Sequence, residues 1–339
     1  MKKQKVTLET IANKLGVTKV SVFKALKNQP GVSDALRERI VRAAQELGYM
    51  NKSENEKLTI TKLGFLVTKR FFLDTDNFYT LIYYFLEREC AQNNINISLY
   101  ILNSEEEEMG VLPFNFQQEQ QSLNGLFIAG EISKNYIKET ILKTKIATVA
   151  IDFHDTDLPI DSIVTDNYLS GYTITQYLIN MGHRDIGFVG DPHYTASVMD
   201  RFCGYYKALI QHHLEYHKEW HLINNDINST YEMDYTIPQS LPTAFVCHCD
   251  MAAYKLMIKL QSNGISVPNQ VSIISFDNTD LSQNISPKLT TMDINKKDMS
   301  SKALNCMLHR LKNPDLDPQK VIVNNQLVIR DSVAEYPYG

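Results

Sequence analysis

The sequence predicts a small all-α headpiece built on a helix-turn-helix, followed by a large doubly wound α/β core, and three observations carry that prediction. Charge divides by position: residues 1–62 hold ten Lys and three Arg against six Asp and Glu, a balance of +7, while the remainder carries −12, so the net −5 hides a basic front on an acidic body. Apolar residues recur at helical spacing in three short segments before residue 50, then give way to short apolar runs separated by amphipathic stretches. The length of 339 residues exceeds one ordinary core and suits a small domain plus a larger one of paired lobes.

Composition narrows the class. With 43% hydrophobic and 22% charged residues the chain is ordinary globular protein and should fold throughout. No stretch has the apolar length of a membrane span, and the basic start, Met1 to Lys5, leads into no apolar signal core. Five scattered cysteines (Cys90, Cys203, Cys247, Cys249, Cys306) fit reduced thiols better than a disulfide framework, so the expected compartment is the cytoplasm.

At the front, Thr7 caps a helix with Leu8, Ile11, Ala12 and Leu15 on one face and Gly16 as its exit. Thr18 caps a second helix with Val22, Ala25 and Leu26 inward, ending before Asn28-Gln29-Pro30-Gly31. Ser33 caps a third over Asp34 to Leu47, with Leu36, Ile40, Ala43, Ala44 and Leu47 inward and Gly48 as its stop. In such a motif the second helix enters the major groove, which would put Lys19, Val20, Ser21 and Lys24 against base edges: a Lys donating to guanine, Val20 packing on a thymine methyl. Phe23 has two readings of equal weight, a wedge against the sugar-phosphate wall or a cover for the headpiece core. Lys27, Arg37, Arg39 and Arg42 are candidates for phosphate contact, or for a plain solvated face.

Residues 50–62 are polar and lack Pro and Gly, which reads as a linker or a weak helix. From Leu63 the runs Leu63 to Val67, Ile97 to Leu102, Gly125 to Ala129, Ala147 to Ile151, Ile186 to Val189, Ala244 to Cys247 and Val271 to Phe276 read as buried parallel strands, with a helix near Phe78 to Asn93. Ligands of doubly wound sheets sit at strand carboxyl ends. Residues placed there are Asp152, Cys249, Asp250 and Asp277, with Arg201 beyond the loop after Val189; Arg and Asp suit a polyol, and aromatics between Phe71 and Tyr79, Phe78 among them, can stack on a sugar ring. For Asp250, at an apparent helix start, capping is the better reading. The run Glu105 to Glu108 reads as a solvated loop or helix start.

The stretch Thr7-Leu-Glu-Thr-Ile-Ala-Asn-Lys-Leu-Gly-Val-Thr18, with Val32-Ser33 and Glu46-Leu-Gly-Tyr49, resembles the headpiece signature of the lactose/galactose repressor family. The likeness continues through Val164-Thr-Asp-Asn167, Gly171, Gly182-His-Arg-Asp-Ile186, Val267-Pro268, Phe276-Asp277 and Pro287-Lys-Leu-Thr-Thr291. Phe23 and Lys24 stand where the family usually has Ser and Arg, and Cys249 where it often has Asn. The resemblance implies a type I periplasmic-binding-protein-like core of two lobes: headpiece 1–49, hinge 50–62, core 63–339, with an N-lobe of about 63–161 and 292–324 and a C-lobe of about 162–291 and 325–339.

It further implies a homodimeric transcription repressor on double-stranded operator DNA, with a sugar or sugar derivative as effector, no cofactor and no membrane partner. The DNA-contacting set is then Thr7, Thr18, Lys19, Val20, Ser21, Phe23, Lys24, Lys27, Ser33 and Leu58, the last either a wedge into the minor groove or an ordinary linker leucine. The effector set is Phe78, Asp152, Arg201, Cys249 and Asp277. The helix Phe78 to Cys90, with Tyr83, Tyr84 and Leu86, is either dimer face or core. An enzyme is disfavoured, since the chain has no Gly-x-Ser-x-Gly elbow, phosphate loop or Gly-x-Gly-x-x-Gly. The alternative is a sugar-binding or metal-sensing protein of the same core; His213, His217 and His221 at helical spacing and the Cys247-His248-Cys249 cluster suggest metal, but Glu215 and Lys218 make the first set look like a solvated helix.

Overall fold

Polar caps and glycine exits, placed where the chain's apolar faces begin and end, set the first three helices. The computed structural model describes residues 6–26, 29–47, 49, 60–72, 77–224 and 234–336, and it separates into two units, Met1–Thr59 and Ile60–Gly339. Helix α1 (Leu8–Leu15) starts in a reciprocal capping box between Thr7 and Thr10 and ends where Gly16 turns left-handed at φ 63°. Helix α2 (Lys19–Leu26) starts where the Thr18 hydroxyl accepts the Ser21 N–H at 3.1 Å, and α3 (Asp34–Glu46) where Ser33 accepts the Leu36 N–H at 3.4 Å. Ile11, Ala12, Val22, Ala25, Ile40 and Ala44 close into one small core between them. The connector over residues 50–59, Leu58 included, and Lys27 lie outside the described residues.

The second unit is two six-stranded sheets. Strands β1 (Lys62–Thr68), β2 (Asn96–Leu102), β3 (Gly125–Ala129), β4 (Ala147–Ile151), β5 (Asp161–Thr165), β6 (Ile186–Val189), β7 (His221–Leu222), β8 (Ala244–Cys247), β9 (Ser272–Asp277), β10 (Thr290–Ile294), β11 (Lys320–Val323) and β12 (Asn325–Val328) divide as β11-β5-β4-β3-β1-β2 and β12-β10-β9-β8-β6-β7. Every pairing is parallel except β10 with β12. Parallel strands need covered faces. Helices α4 (Phe78–Gln92) and α8 (Lys296–Lys312) bury Ile82, Leu86, Met299 and Ala303 on the first sheet. Helices α5 (Asn167–Asn180) and α6 (Ala196–Gln211) bury Ile174, Leu178, Tyr205 and Ala208 on one face of the second, and α7 (Asp250–Ser262) buries Ala253 and Leu256 on the other.

Two details depart from the sequence expectations, and a third decides between readings left open. The chain passes to the second sheet after Thr165 and returns after Ile294, so β5 belongs to the first lobe and β10 to the second, a few residues beyond the crossings expected near 162 and 291. The reason is visible at Asp161, which opens β5 as a buried carboxylate clamped by both arms of Arg310 at 2.7 and 2.9 Å; a strand with polar ends hides in the pattern. The second concerns the histidines: α6 stops at Gln211 and His213 is left-handed at φ 56°, so His213, His217 and His221 share no helix, solvated or otherwise. Third, Leu86 is fully buried in the first-lobe core, while Tyr84 on the same helix is outward under Arg88. The acidic run is a short helix, Ser104–Met109, capped by Asn103 and Glu106. No helix among the described residues is long and apolar enough to cross a membrane.

Candidate functional site

Parallel sheets gather their carboxyl ends on one edge, and those edges face each other across a cleft. Phe71, Phe78, Tyr79 and Asp152 line it from the first lobe; Tyr194, Thr195, Ser197, Val198, Arg201, His248, Cys249, Met251 and Asp277 line it from the second. The cleft holds about 650 Å³ of non-protein space, counting open solvent at its mouth. Phe78, Asp152, Arg201, Cys249 and Asp277, all singled out from sequence, come together here.

Arg201 is fixed by a close helix crossing. A Cβ on Gly171 of α5 would stand 2.2 Å from the Arg201 carbonyl oxygen, and one on Gly204 of α6 would stand 2.1 Å from that of Tyr168, so only glycine lets the two backbones meet. The buried guanidinium then donates from Nε to Asn167 at 2.9 Å and from Nη1 to the His248 carbonyl, pairs through Nη2 with Asp277 at 3.3 Å, and lies 4.4 Å from the Phe276 ring centre. Asp277 and its neighbour Asn278 are both left-handed, at φ 100° and 48°, an uncommon conformation held by outside bonds. Lys296, at the start of α8, donates its ammonium to the Asp277 carbonyl and, at 3.1 Å, to that of Ile294, with Phe78 5.4 Å away. Arg330 holds Asn278 Oδ1 at 2.6 Å.

Asp152 follows β4 in a left-handed turn at φ 70°. Its Oδ2 accepts the Tyr79 hydroxyl proton at 2.7 Å, and its Oδ1 is buried with no hydrogen-bond partner. Burial pushes its carboxyl up to about 6, against the pull of Arg201 and the Tyr79 bond. Burial and the same carboxylate hold the Tyr79 phenol well above its usual range, so it stays a donor. His248 is pushed down to about 4, chiefly by burial, and is neutral. Its Nδ1 lies 3.1 Å from the Val189 carbonyl, which assigns the proton there and leaves Nε2 to accept from Cys249, 3.4 Å away. Cys249 Sγ also accepts the Ala252 N–H, so the thiol caps α7. Asp250 lies off the cleft and serves structure: it is wholly buried and binds Ser275, Thr279 and Thr291. The lobes touch at both rims, where Glu131 accepts the Ala196 N–H at 3.0 Å and Asn77 donates to Asp280 at 3.2 Å. Sequence reasoning missed Tyr194, Thr195, Ser197, Val198, His248 and Met251 as lining. His248 stood directly after a strand and could have been found; Thr195 is the cap of α6, a signal of the same kind.

In the headpiece, Val20 and Phe23 are 61% and 43% exposed on α2, and Phe23 takes no part in the core. Lys19 lies 3.5 Å from Glu9, Ser21 binds the Thr18 hydroxyl at 2.8 Å, and the Lys24 ammonium passes close to Gly31. The Thr7, Thr18 and Ser33 hydroxyls are taken up by caps. Arg37, a candidate from sequence for phosphate contact or a solvated face, turns onto the end of α2 and donates to the carbonyls of Lys24, Ala25 and Gln29. Among the described residues no group of three or more His, Cys, Asp or Glu is arranged to hold a metal ion.

A helix-turn-helix module preceding a two-lobed, cleft-forming core defines a DNA-binding transcription regulator. Residues 7–51 match the bacterial regulatory proteins of the lacI family, and residues 175–333 match a periplasmic binding protein-like domain. A transcriptional repressor, PurR of Vibrio campbellii, is 25% identical over 345 residues, covering 96% of this chain and 98% of that one. The same fold occurs in a transcriptional regulator, CelR, in complex with cellobiose (TM-score 0.69, 20% identity, 96% and 99% of the two chains) and in the lac repressor dimer bound to operator and an anti-inducer (TM-score 0.66, 18%, 98% and 100%). The chain thus joins a lacI-family helix-turn-helix domain to a periplasmic-binding-protein-like domain, and its relatives of matching length are transcriptional repressors rather than enzymes.

Proposed function

We propose that this regulator is a cytoplasmic repressor that binds a near-palindromic double-stranded operator as a homodimer, one headpiece per half-site, with operator affinity set by a small sugar or sugar derivative between the lobes. The observation that carries the effector half is the cleft itself, where an arginine, two carboxylates and aromatic rings converge from two separate sheets. A ligand contacting both walls has different affinity for open and closed lobes, and that difference is what couples it to DNA. The relative that binds cellobiose and the relative seen as an operator-bound dimer support the same reading.

On the DNA side, Lys19, Ser21 and Lys24 supply donors, Val20 and Phe23 supply exposed apolar contact, and Thr7, Thr18 and Ser33 set the helix ends that meet the phosphates. Lys27 and Leu58 complete the proposed set. The test is binding of the full chain to its own promoter region across a salt series, beside the double variant Lys19→Glu/Lys24→Glu. Affinity of the wild type should fall steeply with salt, each phosphate contact adding about 0.9 to the slope. The variant should bind at least ~30-fold more weakly, as expected for two lost contacts of about 1–3 kcal/mol each. Unchanged affinity would refute the assignment of α2.

A further inference from the structure

We infer that the effector is an uncharged polyhydroxy molecule, a free sugar or polyol, and that the cleft rejects its phosphorylated counterpart. This deepens the effector reading above and rests on it. The case is a census of charge. Among the described lining residues Arg201 is the sole Arg or Lys, and each of its three nitrogens already has a partner in Asn167, the His248 carbonyl and Asp277. His248 is neutral, because burial pushes it down to about 4. Lys296 lies behind Phe78 with its ammonium on two backbone carbonyls. Arg70, outside the lining, donates to the Glu131 carbonyl and stacks on Phe71 at 4.8 Å.

Against one committed arginine stand two buried carboxylates, and only Asp277 is paired with it. A phosphate monoester carries close to two negative charges at neutral pH. Closed between the lobes it would meet Asp152 with only the already engaged Arg201 to offset its charge. A hydroxyl meets the opposite situation. Asp152 Oδ1 is a buried acceptor without a partner, and a buried acceptor gains most from the first donor that reaches it. Sugar hydroxyls can supply that proton; a fully ionised phosphate cannot. Thr195 and Ser197, 2.9 Å apart, add hydroxyls able to donate or accept, and the rings of Phe71, Phe78 and Tyr194 offer apolar faces to carbon-bound hydrogens. The signal then lies before, not after, any phosphoryl transfer that consumes the sugar.

The test uses the full chain and matched pairs: ribose and ribose 5-phosphate, glucose and glucose 6-phosphate, cellobiose and its 6-phosphate, with ribitol and mannitol as open-chain polyols, each by thermal shift and calorimetry. At least one uncharged member should stabilise the protein, with its ester binding at least tenfold more weakly. Asp152→Asn, which removes the unpaired charge and keeps the shape, should weaken the free sugar and narrow the gap to its ester. An ester that binds as tightly as its parent overturns the inference while leaving a sugar-type effector in place, and so does a panel in which no uncharged member stabilises the protein. Operator affinity measured on the same preparation without ligand tests the regulator reading separately.

Discussion

Asp152 carries a cost that a single substitution can expose. Its carboxyl is raised to about 6 by burial, so between about 6 and the ordinary 3.8 the folded protein holds a proton that the unfolded chain has released. Stability from this group is therefore lowest above pH 6 and recovers as pH falls; two pKa units correspond to about 3 kcal/mol. Asp152→Asn should raise the melting temperature of the ligand-free protein at pH 7.5, with the advantage over wild type fading between pH 6 and 4, as read by calorimetric melts. Asparagine also tolerates the left-handed backbone there. A variant less stable than wild type at pH 7.5 would contradict this. At this scale the sequence was informative where chemistry sits at a strand end: Asp152 follows β4 directly, Cys249 stands two residues past β8, and Asp277 closes β9. It was silent on Lys296, whose partners, Phe78 and the Asp277 carbonyl, come from remote parts of the chain.

Two packing features of the helices make equally specific demands. The headpiece core is so small that Ile40, fully buried, is a large share of it. Ile40→Ala should cost about 2–5 kcal/mol, a large share of what so small a domain can hold, so operator binding at 37 °C should collapse while thermal stabilisation by effector persists. In the core, Gly171→Ala drives a methyl into the Arg201 backbone. We expect a lowered melting temperature and effector affinity reduced at least tenfold, both measured on the purified variant; wild-type affinity would show that the crossing does not position Arg201. Helices were legible because their caps and exits are local signals, as at Thr7, Gly16 and Ser33. Strand β5 was not, since Asp161 and Thr165 interrupt its apolar run and its place depends on Arg310, far along the chain. The role of Arg37 was hidden likewise, because its acceptors are backbone carbonyls at a helix end, which no residue identity announces.

For the molecule as a whole, the +7 of residues 1–62 and the −12 of the rest mean that attraction to a polyanion is confined to one end. Among the described residues the chain passes between the lobes three times, after Thr165, Ile294 and Val323, and these passages are the covalent routes for their relative motion. Lys296 sits just past the second passage and Arg330 just past the strand that follows the third, and both grip the strained Asp277-Asn278 pair. Sensor and pivot are thus one stretch of covalent fabric. Any rotation about the pivot would tug Asp277 on the cleft wall, so dose-response alleles should accumulate at positions outside the cleft lining.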